Sequence, residues 1–270
     1  MKTIIKILKE HIVWRSQIFK LAKSDIKKTY SGAALGWAWT LIKPSVTIFV
    51  FWFAFSIGLK LGKDIGPYPY ILWLIAGYIP WFFMSDMLTG GAGSLRKYSY
   101  LVTKVKFPIA TIPTFVALAQ FAVHLMLMVI VILIFAGFGF FPDLYLLQLP
   151  IYMLLMLVSF TIWGLFSSML GAISKDFLNL VKSLTMAVFW LSGIMWDIND
   201  IGEHHPWLQT ILMFNPVTFI ATGYRNCFIY KTWIWEQPIA FTCFSATTVI
   251  VLALGVWAHY KLEKDVPDVL

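Results

Sequence analysis

The polar side chains that could carry out chemistry are few in this chain, and none falls into a known catalytic spacing. Glu203, His204 and His205 form the densest group of possible metal ligands, but adjacent residues on a helix point apart, so we expect no metal site. The glycine-rich run from Gly90 to Ser94 lacks the lysine of a phosphate-binding loop. No serine has the G-x-S-x-G setting of hydrolases. We therefore expect no catalytic residue, metal or cofactor on this chain, and any energy for work must come from a partner or an ion gradient.

The composition is that of a membrane protein. Of the 270 residues, 60% are hydrophobic and only 13% are charged, whereas a soluble domain averages about 25% charged residues. The formal net charge of +8 would also suit a nucleic-acid binder, but such proteins carry their basic residues on a soluble domain. We expect a multi-pass protein of the cell membrane that binds no nucleic acid.

Long apolar segments predict an all-α membrane protein with six transmembrane helices, because about 20 apolar residues are needed to cross a bilayer. The predicted spans are Ser45–Leu61, Tyr70–Leu88, Ile109–Phe138, Leu144–Ile173, Leu178–Trp196 and Ile239–Tyr260. No internal repeat or linker interrupts them, so residues 1–270 are expected to form a single domain.

Ionisable residues are scarce inside these spans. Asp86 and His124 stand out; we interpret Asp86 as a cap or a partner of a basic loop residue, and His124 as a buried core histidine. Because ion-coupled carriers depend on intramembrane charges, their scarcity disfavours that class of transporter.

The basic residues predict the orientation, because Lys and Arg accumulate in cytoplasmic segments. Of the 21 Lys and Arg residues, 17 fall on the side of the two termini, and the other side holds only Lys60, Lys63, Arg225 and Lys231. Both termini are therefore expected in the cytoplasm, which requires an even number of spans.

Residues 1–36 predict an amphipathic helix lying in the membrane interface. Ile5, Leu8, Ile12, Phe19 and Ile26 share one face, and Lys2, Lys9, Lys20 and Lys27 share another. Arg15 and Asp25 break this pattern. The helix either borders a substrate entrance or only fixes the topology by its charges.

Two further segments are neither spans nor ordinary loops. Residues 94–107 predict a short cytoplasmic helix before Pro108, whose mixture of aromatic, aliphatic and basic residues suits docking into another protein. Residues 197–237 are too polar to span and too apolar for a loop, and Asn215-Pro216 interrupts them. We expect a re-entrant extracytoplasmic helical hairpin there, before the last span.

Aromatic residues are abundant, and most tryptophans lie near span ends, as in an interfacial belt. The run Gly77-Tyr78-Ile79-Pro80-Trp81-Phe82-Phe83 lies within a span instead. Since aromatic rings stack on sugar faces, this cluster could line the path of a polymer.

Four elements, in order along the chain, resemble the permeases of ABC-type polysaccharide and teichoic acid exporters. They are Tyr30-Ser31-Gly32-Ala33-Ala34-Leu35-Gly36-Trp37-Ala38-Trp39 with Lys43-Pro44, Pro80-Trp81-Phe82-Phe83, Lys104-Val105-Lys106-Phe107-Pro108, and Asn215-Pro216-Val217-Thr218-Phe219 with Gly223-Tyr224-Arg225. The resemblance implies a homodimer of this chain with two copies of a separate ATPase that binds ATP and Mg²⁺.

The resemblance also implies roles for particular residues. The substrate entrance would comprise Lys20, Lys27, Lys28, Tyr30, Gly32, Gly36 and Trp37, and the translocation path Tyr78, Trp81, Phe82, Phe83, Trp190 and Trp196. Coupling to the ATPase would use Arg96, Tyr98, Tyr100, Leu101, Val102 and Lys104, and the outer gate Asn215, Pro216, Tyr224 and Arg225.

The Gly-Tyr-Arg ending at Arg225 is most similar to permeases that export polyprenyl-diphosphate-linked wall teichoic acid, although Val217-Thr218 departs from that branch, where aromatics are expected. The alternatives are export of O-antigen or capsular polysaccharide, and a membrane-bound glycan transferase. A transferase should show a cluster of acidic and basic residues at one membrane face, and Asp197, Asp200 and Glu203 lack basic neighbours.

Overall fold

The computed structural model describes residues 2–30, 36–105 and 107–270, and within these ranges the chain is helical and forms no β-strand. The predicted all-α class is therefore confirmed. The α-helices are Lys2–Val13 (α1), Arg15–Tyr30 (α2), Trp39–Trp52 (α3), Tyr70–Asp86 (α4), Ser94–Lys97 (α5), Ser99–Thr103 (α6), Ile112–Gly137 (α7), Leu149–Ile173 (α8), Lys175–Leu191 (α9), Ile198–His204 (α10), Pro206–Met213 (α11), Pro216–Arg225 (α12), Pro238–Leu262 (α13) and Val266–Val269 (α14).

Five helical segments are long and apolar enough to cross a bilayer, as a multi-pass membrane protein requires. With their flanking 3₁₀ and π turns they cover Gly36–Gly58, Tyr70–Gly91, Ile109–Gly137, Leu144–Ile173 and Pro238–Leu262. Each overlaps a predicted span. The first begins earlier than expected, at Gly36, so that residue belongs to the span and not to the preceding interface helix.

The bundle has two ends. One, which we call the terminal end, brings together α1, α2, α5, α6 and α14: Lys6 pairs with Glu263 and Lys97 with Asp25. The other, the loop end, joins residues 59–69, 139–148, 192–200 and 226–237; there, Lys231 lies 2.7 Å from Asp143.

The fifth predicted span is shorter than expected. Helix α9 has 17 residues and ends at Leu191, because Gly193 adopts a left-handed conformation with φ of 65° and turns the chain. At 1.5 Å per residue the helix is about 26 Å long, the lower limit for a crossing. The six-span count thus stays a prediction, although α9 does run from the terminal end to the loop end.

Helix α4 is the centre of the fold. In its most apolar stretch 72% of the residues are buried, against 11% in the first span and 22% in the last. It packs against α3, α7 and α12. The first span, by contrast, leaves Phe49, Val50 and Phe53 exposed, as expected of a helix that faces lipid or a second protein.

Glycine allows α8 to approach the segment after α4 backbone to backbone. A Cβ atom added to Gly171 would lie 2.2 Å from the carbonyl oxygen of Ala92, and one added to Gly91 would lie 3.4 Å from the Cα of Gly164. Any side chain at Gly171 would push these two segments apart.

The N-terminal segment differs from the single helix predicted over residues 1–36. It forms α1 and α2, joined at Trp14, whose backbone continues the hydrogen-bond ladder to Glu10 and Ile18. Together the two helices present two apolar faces. Ile7 and Ile18 are buried against the protein, whereas the predicted apolar face, with Leu8 at 58% exposure, points outward and is free to contact lipid.

Residues 197–237 form α10, α11 and α12, followed by a π turn (Asn226–Tyr230) and a 3₁₀ turn (Ile234–Glu236). A re-entrant course for this segment stays a prediction. Helix α12 is almost completely buried between α4 and α8, and Gly223 contacts the ring of Tyr152 so closely that a Cβ would lie 2.1 Å from it. This part of the segment is therefore integral to the core of the bundle.

We predict that Gly171→Ala destabilises the fold, because its Cβ collides with backbone and cannot be accommodated by a rotamer change; overpacking of this kind costs about 1–3 kcal/mol. Thermal unfolding of the detergent-solubilised protein should show a lower midpoint. Gly90→Ala is the matched control, since open space surrounds Gly90. Equal midpoints for the two variants would contradict the close packing.

Candidate functional site

A buried arginine organises the loop end. Arg225 is only 2% exposed, although the sequence places it among the charges of an outer loop. Its Nη1 donates a hydrogen bond to the carbonyl of Gly193 (2.6 Å) and its Nη2 to that of Ile194 (2.5 Å). The guanidinium also lies over the ring of Trp73, 3.4 Å from its centroid. Gly77 makes room for it, since a Cβ there would lie 2.4 Å from Nη2.

The same tryptophan extends this cluster to the segment before α10. Trp73 Nε1 donates a 2.7 Å hydrogen bond to the hydroxyl of Tyr230, which in turn donates to the carboxylate of Asp197. We call Trp73, Gly77, Asp197, Arg225 and Tyr230 the arginine cluster. It connects α4, α12 and the residues before α10.

The other predicted gate residues also point into the protein. Asn215 caps α12 through Val217 N (3.0 Å) and donates from Nδ2 to the hydroxyl of Ser192 (2.8 Å). Pro216 follows as the first residue of the helix, where proline is favoured. The structure thus gives Asn215 and Pro216 roles in starting α12, and a gating role stays a prediction.

Tyr224 is fully buried, and its hydroxyl shares a 2.7 Å hydrogen bond with Nε2 of His124. This contact confirms that His124 is a core histidine. It also places Tyr224 inside the bundle, away from either surface.

Three of the six aromatics predicted to line a path lie in the core. Tyr78 and Trp81 are buried against Phe189, with ring centroids 5.5 and 5.3 Å apart, and Phe83 is buried as well. Phe82 is half-buried. Because the buried rings fill space within this chain, they are not exposed to a passing polymer in this conformation.

Of the remaining predicted path residues, Trp190 is 45% exposed and Trp196 is half-buried. Trp196 Nε1 donates a 2.8 Å hydrogen bond to the Trp190 carbonyl. These two residues do present ring surface outside the core.

The predicted coupling helix is two short helices, α5 and α6, and three of its proposed docking residues, Tyr98, Leu101 and Val102, are buried in this chain. Leu101 and Val102 are each only 5% exposed and pack into this chain, so they cannot anchor another protein. The outward surface includes Tyr100 (46% exposed), Lys104 and Val105 (54% exposed). Val105 was not among the predicted coupling residues.

Arg96 connects this segment to α8. Its Nε donates to the carbonyl of Gly171 and its Nη2 to that of Ala172, both at 2.6 Å. These carbonyls lie in the last turn of α8 and have no partner within the helix, so the guanidinium supplies their hydrogen bonds. Its positive charge also interacts favourably with the negative end of the helix dipole. Arg96 thus fixes α5 rather than facing a partner.

Asp25, which breaks the amphipathic pattern of α2, is explained by a contact with α5 and α6. It is 5% exposed and accepts hydrogen bonds from the hydroxyl of Tyr98 and from Lys97 Nζ (3.1 Å). Burial, together with this bond to Asp25, raises the pKa of Tyr98. The Tyr98 ring packs edge-on against Phe115, 4.8 Å away. We call Asp25, Lys97 and Tyr98 the Asp25 contact; it joins the N-terminal helices to the segment predicted to bind an ATPase.

Helix α1 is held by polar contacts at the terminal end. Lys6 Nζ donates to Glu263 (2.6 Å), and this hydrogen bond raises the pKa of Lys6. His11 Nε2 shares a hydrogen bond with Thr114 (2.7 Å). Helix α1 therefore contacts both the start of α7 and the chain just after α13.

The described entrance residues are divided between α2 and the start of the first span. Lys20, Lys27 and Lys28 lie on exposed positions of α2. Trp37 is 53% exposed, and Gly36 has a φ of 44°. Gly32 and the side chain of Tyr30 lie outside the described residues.

A cavity of about 290 Å³ lies next to this entrance region. Gly36, Lys43, Asp86 and Gln120 contribute to its lining, from three different spans. The sequence identified Asp86 as an unusual intramembrane charge, but the approach of Lys43 to the same cavity could not be read from the spacing of the two residues.

A larger cleft of about 530 Å³ opens at the loop end. Its lining includes Tyr70, Trp73 and Trp196 together with Asp64, Asp197 and Asp200. Among the described residues, no group of three or more His, Cys, Asp or Glu side chains is arranged to hold a metal ion.

Comparison with known proteins identifies similar sequences. A family model described as ABC-2 type transporter matches residues 16–229. The O-antigen export system permease protein RfbA of Myxococcus xanthus is 23% identical over 265 residues, covering 97% of this chain and 96% of that protein. Two proteins of the same name from Klebsiella pneumoniae are 22% and 23% identical, covering 89% and 93% of this chain and 90% and 93% of their own lengths.

The names of these relatives help to distinguish an O-antigen exporter from a teichoic acid exporter. Their names specify O-antigen export, so the teichoic acid assignment receives no support from them. The alternative interpretation, an exporter of O-antigen or a similar polysaccharide, fits them better.

We predict that the Asp25 contact stabilises the protein. Asp25→Ala leaves the buried hydroxyl of Tyr98 unpaired, a loss of about 1–3 kcal/mol, and should lower the thermal unfolding midpoint. Adding Tyr98→Phe should cost little more, because the unpaired hydroxyl is then gone. Asp268→Ala, at an exposed position, is the matched control. Strictly additive losses for Asp25→Ala and Tyr98→Phe would show that the two side chains act independently.

Proposed function

We propose that this chain, which belongs to the ABC-2 type transporter family, is the membrane subunit of an ATP-driven exporter that moves a lipid-linked polysaccharide to the cell surface. The observation that carries the proposal is end-to-end similarity to O-antigen export permeases, over 97% of this chain in one case. Their names favour an O-antigen-type polymer over wall teichoic acid. A polyprenyl diphosphate is the lipid carrier we infer.

The energy for transport comes from a separate ATPase in this proposal. The sequence contains no phosphate-binding loop with its lysine, so ATP and Mg²⁺ would bind the partner. Two ATPase copies would serve a homodimer of this chain. The exposed apolar faces of α3 and α9, with Val46, Phe49, Leu180 and Leu184 each at least half exposed, support a second copy as one neighbour within the membrane.

The terminal end is the cytoplasmic end in this proposal. It holds both termini and the docking segment α5–α6, and it is where most of the lysines and arginines lie. Helix α9 begins near Gly171 at this end and finishes beside Ser192 at the other, which supports six crossings. With six crossings, both termini would lie in the cytoplasm.

The contacts at the terminal end supply a route for coupling. An ATPase that binds Tyr100 and Val105 would move α5 and α6, which are joined to α8 by Arg96 and to α2 by the Asp25 contact. Helix α2 carries Lys20, Lys27 and Lys28, whose charges would attract the diphosphate of the lipid carrier. Movement of the ATPase would thereby reach the substrate entrance.

The test is co-purification of an ATPase with this chain from the cells that produce it. We expect the wild-type chain to retain it and the double variant Tyr100→Ala, Val105→Asp to lose it, because each interface anchor contributes about 1–4 kcal/mol. Leu101→Ala should instead lower thermal stability, since Leu101 is buried. Phe141→Ala, 73% exposed at the loop end, is the control for a general loss of surface apolar area.

Two outcomes would contradict these assignments. Failure of the wild-type chain to retain any ATPase would overturn the exporter assignment. Undiminished retention by the Tyr100 and Val105 variant would leave that assignment intact but remove the docking role of α6.

A further inference from the structure

The cleft at the loop end has the size of a ligand site. Its volume of about 530 Å³ lies within the range of about 300–1,000 Å³ found for small-molecule pockets. One wall is the chain from Leu61 to Ile65, and the other is the segment from Met195 to Asp200. On the proposed orientation, on which this inference rests, the cleft faces the outside of the cell.

Aromatic rings form its floor and part of its walls. Tyr70 and Trp73 stack with centroids 5.7 Å apart and an interplanar angle of 22°. Trp73 is held in place by the guanidinium of Arg225, which lies over its ring, and by its hydrogen bond to the hydroxyl of Tyr230. Trp196 is half-buried at the opposite wall, so part of its ring surface is accessible. A rigid floor with one accessible indole suits the flat apolar face of a sugar ring.

One polar group in the lining lacks a partner. Tyr70 is 7% exposed, and its buried hydroxyl has no hydrogen-bond partner among the described residues. An unpaired buried hydroxyl is costly, so its retention needs an explanation. A ligand hydroxyl seated in the cleft would satisfy it.

The charge of the lining is negative. Asp64, Asp197 and Asp200 contribute three carboxylates, and Lys63 contributes the one ammonium. Arg225 lies beneath the floor, but it is buried and its Nη atoms already donate to two backbone carbonyls. A ligand therefore meets acceptors, which suit hydroxyl groups and repel phosphate.

We propose that this cleft binds an uncharged segment of the exported glycan, with Trp196 stacking on a sugar ring and Tyr70 and the carboxylates bonding its hydroxyls. The substrate class is thus a neutral polysaccharide, and a polymer with a phosphate in every repeat is selected against. The cleft would favour neutral polymers in two ways. It makes contacts with their sugar rings and hydroxyls, and its three carboxylates repel a polyanion.

Saturation-transfer NMR on the complete transporter complex in nanodiscs tests the proposal. The probes are an uncharged dextran oligosaccharide and a glycerol phosphate oligomer of similar length. We expect transfer to the uncharged probe and much weaker transfer to the anionic one. Trp196→Ala should weaken binding about tenfold, as loss of an interface anchor does.

Conservative variants separate ligand contacts from folding. Tyr70→Phe removes only a hydroxyl that has no hydrogen-bond partner in the described part of the chain, so it should reduce binding with no loss of thermal stability. The double variant Asp64→Asn, Asp200→Asn should lower the ratio of affinities for the uncharged and the anionic probe about fivefold, because it removes two exposed negative charges. Trp207→Ala, 65% exposed and outside the cleft, should bind like the wild type.

Stronger transfer to the glycerol phosphate oligomer, or unchanged binding in both Tyr70→Phe and Trp196→Ala, would overturn the proposal. If either result is obtained with a complex that still contains its ATPase, the cleft is not the glycan-binding site, and the exporter assignment is unaffected. By contrast, if the wild-type chain does not retain an ATPase, the exporter assignment is wrong whatever the cleft binds.

Discussion

The buried guanidinium of Arg225 is the interaction on which the loop end of this protein depends. Removing a charge from water costs several kcal/mol unless its hydrogen bonds are replaced. Here the carbonyls of Gly193 and Ile194 and the ring of Trp73 replace them, and Gly77 leaves the necessary space. Three parts of the chain are thereby fixed to one another: α4, α12 and the turn after α9.

This constraint explains several features at once. The turn at Gly193 directs both of the carbonyls that accept from Arg225, and it also ends α9. Trp73, fixed by the guanidinium, is part of the floor of the outer cleft. Asp197 reaches the same cluster through Tyr230. The cleft is thus preorganised by contacts that lie beneath it, as binding sites on rigid elements generally are.

The terminal end depends on different interactions. Arg96 and Asp25 are both largely removed from solvent, and each connects the short helices α5 and α6 to a longer one. Lys6 and Glu263 add a contact between the two chain termini. A force applied at α6 would therefore reach α2 and α8 together, which is the property that an ATP-driven transporter needs at its docking surface.

Five of the six predicted spans and the helical class are found in the structure, because hydropathy over 20 residues is a strong signal. Asp25 was a local signal of tertiary contact, since a carboxylate on an apolar face needs a partner. The faces of α6 could not be predicted: five residues define no periodicity, so Leu101 and Val102 were taken as outward-facing when they are buried.

Other errors have a similar physical origin. Tyr78, Trp81 and Phe83 have the residue types of a sugar-binding surface, but composition does not distinguish such a surface from an aromatic core. Val217 and Thr218, where the sequence departs from the teichoic acid permeases, are each 2% exposed. That departure concerns packing of α12, so it says little about the substrate. The arginine cluster joins residues more than 150 positions apart, as Trp73 and Arg225 are, and no local pattern reveals it.

Transport into inverted membrane vesicles tests the exporter assignment most directly. Vesicles containing this chain and its ATPase would be supplied from outside with the lipid-linked polysaccharide and ATP. We expect the polymer to become protected inside the vesicles only when ATP, the ATPase and this chain are all present. Equal protection without ATP, or with the ATPase omitted, would contradict an ATP-driven export function for this protein.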